Sequence, residues 1–193
     1  MATLFESIWA GDVDAVRSVV RDDPSTASAR DDKGLSAVRA ALYAHHQDVA
    51  DVLLEAKPTL DVFDATAAGD VDRLTELLDG DAGLAGAWSE DGYTALHFAA
   101  FFSRGEALRL LLDRGADVAA VSKNEMKVQP LHSAVAARSM EGVAALLVAG
   151  ADPNARQEGG FTPLMGAEHH EDTDMVRLLV DHGAEESATA PPE

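Results

Sequence analysis

Residues 91–117 read DGYTALHFAAFFSRGEALRLLLDRGAD, and this stretch decides the fold. It opens on an Asp91-Gly92 turn, continues through two short helical patterns, TALHFAA and LRLLL, and closes on Arg114-Gly115-Ala116-Asp117. The segment therefore predicts a helix–turn–helix unit with turn residues at both ends. One such unit cannot bury its apolar face by itself, so it needs similar units on either side.

Similar units recur along the chain and predict a repeat array. Every second helix carries two adjacent apolar residues, which lie at Val19-Val20, Leu53-Leu54, Leu77-Leu78, Leu111-Leu112, Leu146-Leu147 and Leu179-Val180. Successive pairs are 34, 24, 34, 35 and 33 residues apart. A helical hairpin repeated at this period is typical of an all-α solenoid, in which stacked neighbours bury a continuous core.

The first helices carry a motif that identifies a family. They read SAVRAAL at 36–42, TALHFAA at 94–100, QPLHSAV at 129–135 and TPLMGAE at 162–168, and one second helix ends in LLVAGADPNA at 146–155. These segments resemble the T-P-L-H-x-A-A and L-L-x-x-G-A-D motifs of ankyrin repeats. The resemblance is to bacterial-type ankyrin repeat proteins and covers residues 4–184.

The resemblance implies an all-α ankyrin-repeat solenoid of helix–turn–helix units with short β-hairpin fingers. We expect an ankyrin repeat domain over 1–184, with six repeats at 1–30, 31–58, 59–88, 89–121, 122–154 and 155–184. The acidic, proline-containing tail 185–193 is expected to be disordered. The residues expected to bound helices, as hydroxyl N-caps or left-handed glycines, are Ser36, Thr94, Thr162, Gly115, Gly150 and Gly183.

One spacing is shorter than the others and predicts a missing finger. The pair Leu77-Leu78 follows Leu53-Leu54 after only 24 residues, ten fewer than the spacing before it. Lys57-Pro58 is expected to end the helix there, so that no finger forms between repeats two and three. A second offset of 58 residues relates Gly11-Asp12-Val13-Asp14 to Gly69-Asp70-Val71-Asp72, so the first four repeats look like a duplicated pair.

The composition excludes several classes of function. The 193 residues include 34 acidic and 15 basic side chains and no cysteine, for a net charge of −19. This charge argues against nucleic acid and anionic membrane surfaces as partners, because both attract basic patches. The lack of cysteine excludes disulfides and thiolate zinc sites. The N-terminus has no signal-peptide pattern and no apolar run approaches the ~18 residues of a membrane span, so we expect a cytoplasmic protein.

No residue pattern predicts catalysis, a cofactor or a metal site. The sequence contains no G-x-S-x-G, P-loop or G-x-G-x-x-G motif. His97 and His132 occupy the fourth position of the T-P-L-H motif, where we expect the imidazole to bridge backbone groups of adjacent repeats. The pairs His45-His46 and His169-His170 fall at turns between helices, where adjacent histidines do not both face one metal.

Aromatic residues concentrate on the groove predicted between the first helices and the finger tips. Aligning the first helices places Trp9, Tyr43 and Phe101 in one solvent-facing column. Exposed aromatic clusters with a charged rim mark interaction sites. The predicted partner-binding residues are Trp9, Tyr43, Trp88, Asp91, Tyr93, Phe98, Phe101, Phe102, Met126, Phe161 and His169. For the three phenylalanines 98, 101 and 102 the alternative is packing between neighbouring repeats, and Trp9 has the alternative role of plugging the terminal repeat.

These patterns favour a non-catalytic protein-interaction module or adaptor. We expect a monomer without a cofactor that presents a curved groove to a protein partner, with Asp91 and other acidic rim residues steering a basic surface. One alternative is an enzyme or small-molecule binder that uses the groove as a pocket. It requires a closed cavity lined by Phe98, Phe102, His132 and His169. The other alternative is a structural or homo-oligomeric role.

Overall fold

The computed structural model describes residues 3–185, and these contain twelve α-helices in six helix–turn–helix pairs. The first helices of the pairs are α1 (Leu4–Ala10), α3 (Ala37–Tyr43), α5 (Val62–Ala68), α7 (Ala95–Phe101), α9 (Pro130–Ala136) and α11 (Pro163–His169). The second helices are α2 (Val13–Asp22), α4 (Gln47–Glu55), α6 (Val71–Gly80), α8 (Gly105–Asp113), α10 (Met140–Val148) and α12 (Thr173–Asp181). Each first helix packs on the next, which confirms the predicted all-α solenoid. Apart from Glu185, the tail predicted to be disordered lies outside the described residues.

Short polar side chains and glycines bound the helices, as predicted. The Ser36 hydroxyl accepts a hydrogen bond from the Arg39 backbone N–H at 3.1 Å, and the Thr162 hydroxyl accepts one from the Met165 N–H at 3.3 Å. These bonds satisfy N–H groups that have no partner within the first helical turn. Gly115 follows α8 with a φ of 81°, a left-handed conformation that is unstrained only for glycine.

Small side chains let the first helices approach one another closely. The fifth residue of each first helix after α1 is fully buried, and these residues are Ala41, Thr66, Ala99, Ala134 and Ala167. Behind them, leucines of the second helices complete the core, and Leu53, Leu74 and Leu111 are fully buried. The apolar face of each hairpin is therefore covered by its neighbours, which is how a solenoid builds one core. None of the described helices is long and apolar enough to cross a membrane.

The fingers are turns that contain at most one β-bridge. Arg30 pairs with Ser36 and Trp88 pairs with Thr94, and these are the isolated bridges of the described residues. The expected β-hairpins are therefore reduced to their turns, because two strands this short have no neighbouring sheet to extend them. Backbone hydrogen bonds nevertheless join later fingers: Lys123 N–H donates to Gly92 O at 2.8 Å.

The predicted gap in the row of fingers is present. α4 ends at Glu55 and α5 begins at Val62, so the chain passes from one helix to the next without a finger. Lys57 turns the chain with a φ of 53°, directly before Pro58. As a result, the finger at 29–35 and the finger at 87–93 face each other across the position where another finger stands elsewhere in the array.

The offset of 58 residues also relates local structures, as the duplicated sequence suggests. Short 3-10 helices occur at Pro24–Ser28 and at Ala82–Gly86, each directly after the second helix of its pair. Each begins with an aspartate, Asp23 or Asp81, whose carboxylate accepts a hydrogen bond from the backbone N–H two residues later. The same cap therefore makes the same turn in both copies.

The predicted alignment of first helices was wrong by one residue in two repeats. Aligning the first helices by sequence placed Trp9 in the same position as Tyr43. In the structure Ala10 takes that position, because Ala10 is the last residue of α1 and Tyr43 is the last residue of α3. The same shift affects α5, whose second residue, Phe63, takes the position that Val38 has in α3. The cause is the shorter link after α1 and α5, where a single left-handed glycine, with φ of 69° or 80°, stands between the helix and the next N-cap.

Candidate functional site

The concave face carries three adjoining depressions formed by the first helices and the fingers. The middle one, called here the central pocket, has a volume of about 300 Å³. Its lining is largely apolar and consists of Tyr43, Tyr93, His97, Phe98, Phe101, Met126, Val128, His132, Ser133, Ala136 and Gln157. Five of the predicted partner-binding residues are therefore brought together here.

A difference in side-chain size between α7 and α9 creates the central pocket. The fourth and seventh residues of α7 are Phe98 and Phe101, whereas the same positions of α9 hold Ser133 and Ala136. Large rings on one side and small side chains on the other leave a depression between two helices that otherwise pack directly. Phe98 forms the floor, with only 2% of its surface exposed, and Phe101 stands half-buried at the wall.

Edge-to-face and tilted aromatic contacts hold the pocket wall in place. The Tyr43 ring lies 6.4 Å from the Phe98 ring and 6.1 Å from the Phe101 ring, measured between centroids. Tyr93 approaches Phe98 from the finger side at 5.9 Å with an interplanar angle of 66°. Aromatic pairs of this geometry stabilise each other beyond their burial, so contacts with Phe98 hold the Tyr43 and Tyr93 rings in the wall.

His97 confirms the bridging role predicted for it. Its Nδ1 accepts a hydrogen bond from the Thr94 N–H at 3.2 Å, and its Nε2–H donates to the Val128 carbonyl of the next repeat at 3.1 Å. Burial lowers the pKa of His97 to about 4, so the imidazole is neutral at physiological pH. Because both nitrogens are engaged, His97 fixes the finger against α7 and is not free for acid–base chemistry.

His132 forms only half of the predicted bridge. Its Nδ1 accepts from the Gln129 N–H at 3.2 Å, and burial lowers its pKa below the ordinary histidine value. Its Nε2, however, has no hydrogen-bond partner among the described residues. Within residues 3–185, this nitrogen therefore does not form the expected hydrogen bond to the next repeat.

The second depression, the N-terminal cleft, lies between the two fingers that flank the gap. Its volume is about 570 Å³, and it is lined by Trp9, Asp31, Lys33, Leu35, Arg39, Tyr43, Glu90 and Asp91. Tyr43 belongs to both this cleft and the central pocket, and its hydroxyl donates to the Asp91 carboxylate at 3.1 Å. Burial, together with the adjacent Asp91 charge, raises the pKa of Tyr43 well above its ordinary value. The predicted residues Trp9 and Asp91 are thus brought together here rather than in the central pocket.

A buried ion-pair network forms the base of the N-terminal cleft. Arg39 Nε lies 2.8 Å from Asp64 Oδ1, and each side chain is 1% exposed. Ser36 donates to the same Asp64 oxygen at 2.6 Å, and Arg30 contacts the other at 2.7 Å. Arg30 also pairs with Asp61 at 2.7 Å. The network joins α3 to α5 at the repeat junction that has no finger.

Sequence reasoning missed Asp64, although a signal for it was present. Arg39, Asp64 and His97 are the third residues of α3, α5 and α7, so they form one buried column of polar side chains. Once α5 is aligned on its Asp61 N-cap, Asp64 falls in the histidine position of the motif. The one-residue alignment error concealed this pairing of opposite charges.

The remaining predicted residues lie around these two sites. Phe161 and His169 line the third depression, the C-terminal pocket of about 400 Å³, which shares His132, Ala136 and Gln157 with the central pocket. Phe102 lines a separate depression beside Arg104 and Arg138. Trp88 lines none of the three, and its ring lies 4.4 Å from the Lys123 amine.

The geometry does not favour the single pocket expected for an enzyme or small-molecule binder. Phe98 and His132 line the central pocket, but Phe102 and His169 line other depressions, so the closed cavity required by that alternative is not formed. Within residues 3–185, no group of three His, Asp or Glu side chains is arranged to hold a metal ion.

Comparisons with known proteins agree with this architecture. The profile described as "Ankyrin repeats (3 copies)" matches residues 62–157, and the profile described as "Ankyrin repeat" matches residues 159–190. The ankyrin repeat domain from Acinetobacter baumannii AYE superposes with a TM-score of 0.60 at 27% identity, over 94% of this chain and 98% of that one. The ankyrin repeat domain of Bcl-3, a member of the IkappaB protein family, has a TM-score of 0.60 at 26% identity, over 97% of this chain and 88% of that one.

Relatives of similar sequence are much longer proteins. Human neurogenic locus notch homolog protein 2 is 38% identical over 117 residues, which is 60% of this chain but 5% of that protein. Mouse B-cell lymphoma 3 protein homolog is 40% identical over 95 residues, or 49% of this chain and 21% of that protein. Drosophila melanogaster palmitoyltransferase Hip14 is 36% identical over 100 residues, which is 52% of this chain and 15% of that protein.

The chain spans only a small part of these relatives, so the comparison concerns their repeat regions. Matches from animals and from a bacterium do not distinguish the bacterial type that the motifs suggested. The two profile matches together cover more than half of the sequence, in agreement with the six helical pairs. The chain therefore belongs to the ankyrin repeat family.

Proposed function

We propose that this chain is a non-catalytic adaptor that binds a protein partner on its concave face. The observation that carries the proposal is the continuity of the three depressions. Tyr43 is shared by the N-terminal cleft and the central pocket, and His132 by the central and C-terminal pockets. A partner segment that runs along the array meets a continuous strip that is largely apolar in the central pocket and charged at the N-terminal cleft. Proteins bind each other through surfaces of this kind, which combine an apolar centre with a polar rim.

The central pocket supplies the anchor point of the proposed interface. Phe101, Tyr93 and Met126 surround it, and Met126 is largely exposed. Pre-ordered aromatic walls lower the entropy cost of binding, because their side chains are already fixed by mutual contacts. One bulky apolar side chain of the partner fits a pocket of about 300 Å³. Ankyrin repeats in general mediate protein–protein interaction, which agrees with this role.

Electrostatics favours a partner with a basic surface. The chain carries a net charge of −19, and Asp91 and Glu90 are exposed at the finger beside the pocket. Such a field accelerates the approach of a cationic partner and repels an anionic one. We propose that the chain acts as a monomer, since its concave strip is then free for the partner.

Affinity capture with matched variants tests the proposal. The tagged protein is used to capture partners from a lysate of the cells that produce it, in parallel with Phe101→Ala and Val148→Ala. Val148 is 82% exposed on α10, outside the strip, so its variant controls for the loss of an exposed apolar side chain. We expect one protein to be retained by wild type and by Val148→Ala and to be lost by Phe101→Ala. Equal retention by all three, with unchanged helicity, would refute the concave face as the interface.

A further inference from the structure

The missing finger leaves a cleft between two fingers that are not joined by main-chain hydrogen bonds. Fingers farther along the array are joined by main-chain hydrogen bonds, from Lys123 N–H to Gly92 O at 2.8 Å and from Glu158 N–H to Met126 O at 2.9 Å. Between the fingers at 29–35 and 87–93, the described residues form no such bond. The N-terminal cleft of about 570 Å³ occupies this junction, so main-chain groups and side chains that are paired elsewhere remain accessible here.

The base of the cleft holds a buried cation with an unused donor. Arg39 is 1% exposed, and its Nη2 has no hydrogen-bond partner in the part of the chain that the structure describes. The guanidinium edge points to the cleft, because Nη2 lies 3.8 Å from Glu90 Oε2 and Nη1 lies 3.9 Å from Asp91 Oδ1. Both distances exceed that of a hydrogen bond. A buried donor without an acceptor is costly, so an acceptor supplied by a ligand gains free energy there.

The rim of the cleft is acidic and aromatic. Asp31, Glu90 and Asp91 contribute three carboxylates, against the single amine of Lys33. The Arg39 charge does not remove this excess, because Arg39 and Arg30 together are balanced by Asp64 and Asp61 below the cleft. Trp9, about half exposed, borders the cleft and offers a ring face of the kind that attracts cations.

We propose that the N-terminal cleft binds an extended segment of the protein partner that carries a lysine or arginine side chain. The cationic side chain lies among Trp9, Glu90 and Asp91 and draws the Glu90 carboxylate, which lies 3.8 Å from Arg39 Nη2, away from the guanidinium. A main-chain carbonyl of the segment then reaches Nη2, which is buried in the free chain, and accepts the hydrogen bond that this donor lacks. A peptide satisfies both requirements at once, since it combines a positive charge with a neutral acceptor about one side-chain length away. This inference rests on the proposed function and names the chemistry of the partner segment.

Nuclear magnetic resonance with short peptides tests this inference directly. The chain has two tryptophans, of which Trp9 borders the cleft and Trp88 does not, so their indole N–H signals act as reporter and internal reference. The probes are acetyl-Gly-Gly-Lys-Gly-Gly-amide, its arginine and glutamate counterparts, and n-butylammonium, all at matched ionic strength. We expect the lysine and arginine peptides to shift the Trp9 signal in a saturable way, with a dissociation constant on the order of 1 mM. The glutamate peptide should leave it unchanged.

Two comparisons separate the parts of the site. Glu90→Gln combined with Asp91→Asn should weaken binding of the lysine peptide by about tenfold or more, through loss of the rim charges. Glu106→Gln combined with Glu168→Gln removes the same charge from two exposed positions outside the cleft and should have little effect. The ammonium ion has the charge but no carbonyl, so it should bind several-fold more weakly than the lysine peptide. Equal binding of the two cations would disprove the role of Arg39.

Other outcomes overturn the inference as a whole. A Trp9 signal that shifts equally with the glutamate peptide, or that does not move at all, excludes a site for basic segments. The proposed function is judged separately by the capture experiment with Phe101→Ala. A partner that is captured through Phe101 and is equally retained by the Glu90/Asp91 variant would leave the adaptor role standing and this inference refuted.

Discussion

Arg39 Nε lies 2.8 Å from Asp64 Oδ1, in an ion pair whose two side chains are each 1% exposed. The pair connects α3 to α5, at the junction where the chain has no finger. Elsewhere in the array, adjacent fingers contribute main-chain hydrogen bonds to the junction. The network of Arg39, Asp64, Ser36 and Arg30 is therefore a buried polar connection between the first two repeats and the rest.

Removing one partner of this pair is expected to destabilise the array strongly. Asp64→Asn leaves the Arg39 charge buried without its counter-ion, and we expect a loss of about 3–5 kcal/mol in the free energy of unfolding. Urea unfolding followed by circular dichroism measures it. Asp79→Asn is the control, because Asp79 pairs with Arg114 at a similar 2.7 Å but is 64% exposed. That variant should lose less than about 1 kcal/mol, and equal losses would contradict the buried role of the network.

The expected loss of stability comes from an uncompensated buried charge and not from lost packing. A double variant distinguishes these two causes. Replacing both partners, as Arg39→Met with Asp64→Leu, removes the buried charges together and should cost less than Asp64→Asn alone. A double variant that is less stable than the single one would assign the effect to packing around Arg39.

Stability is expected to fall on acidification because His97 must bind a proton. Its pKa is lowered by burial from 6.5 to about 4, so the unfolded chain binds more protons than the folded one between these values. The stabilisation is complete above pH 6.5 and is lost as pH falls toward 4. Between pH 7 and pH 4.5, His97 should account for a loss of about 2 kcal/mol in the free energy of unfolding.

Histidine variants assign the pH dependence to this residue. His97→Gln should reduce the difference between the unfolding free energies at pH 7 and pH 4.5 by that amount. His45→Asn, at an exposed turn position with φ of 58°, should retain the wild-type difference, since asparagine tolerates this backbone. An unchanged difference in His97→Gln would show that His97 titrates normally.

Alanine substitutions at Gly34 and Gly92, which are 58 residues apart, test whether the fingers pack closely against each other. Gly34 and Gly92 have φ of 84° and 82°, so alanine is strained at both by about 1–2 kcal/mol. A Cβ at Gly92 would lie 3.0 Å from the backbone N of Asn124, whereas at Gly34 it would meet only the Glu90 side chain, at 3.1 Å. We therefore expect Gly92→Ala to be the more destabilising variant, because backbone cannot move aside as a side chain does.

Hydrogen exchange provides the local readout for this pair. The Lys123 N–H donates to Gly92 O across the stacked fingers. It should exchange faster in Gly92→Ala and at the wild-type rate in Gly34→Ala. Equal exchange in both variants would mean that the stack does not depend on close approach at Gly92.

We expect Phe98 to contribute mainly to stability and Phe101 mainly to partner binding. Phe98 is 2% exposed at the base of the central pocket, so Phe98→Ala should cost about 3–5 kcal/mol in unfolding free energy. Phe101, half-buried at the wall, should cost much less when replaced by alanine, while capture of the partner is lost. Urea unfolding of both variants checks this, and a Phe101→Ala variant as unstable as Phe98→Ala would place its ring in the core.

The sequence alone determined the architecture of this protein. Paired apolar residues at a regular period and the caps at Ser36 and Thr162 are local signals, and each acts on backbone groups within a few residues of itself. The missing finger could also be predicted from the sequence, because the paired apolar residues on either side of it are only 24 residues apart. These features required no knowledge of what lies beside each helix.

Only the tertiary structure decided which side chains meet on the concave face. The links after α1 and α5 are one residue shorter than the others, which moves Trp9 out of the column of Tyr43. For the same reason, the sequence alignment did not place Asp64 beside its partner Arg39. The central pocket depends on the large Phe98 of one helix facing the small Ser133 of the next, and no pattern within either helix reports that difference. Local sequence sets helices and turns, but contacts between repeats depend on helix phase, which one residue in a link rotates by about 100°.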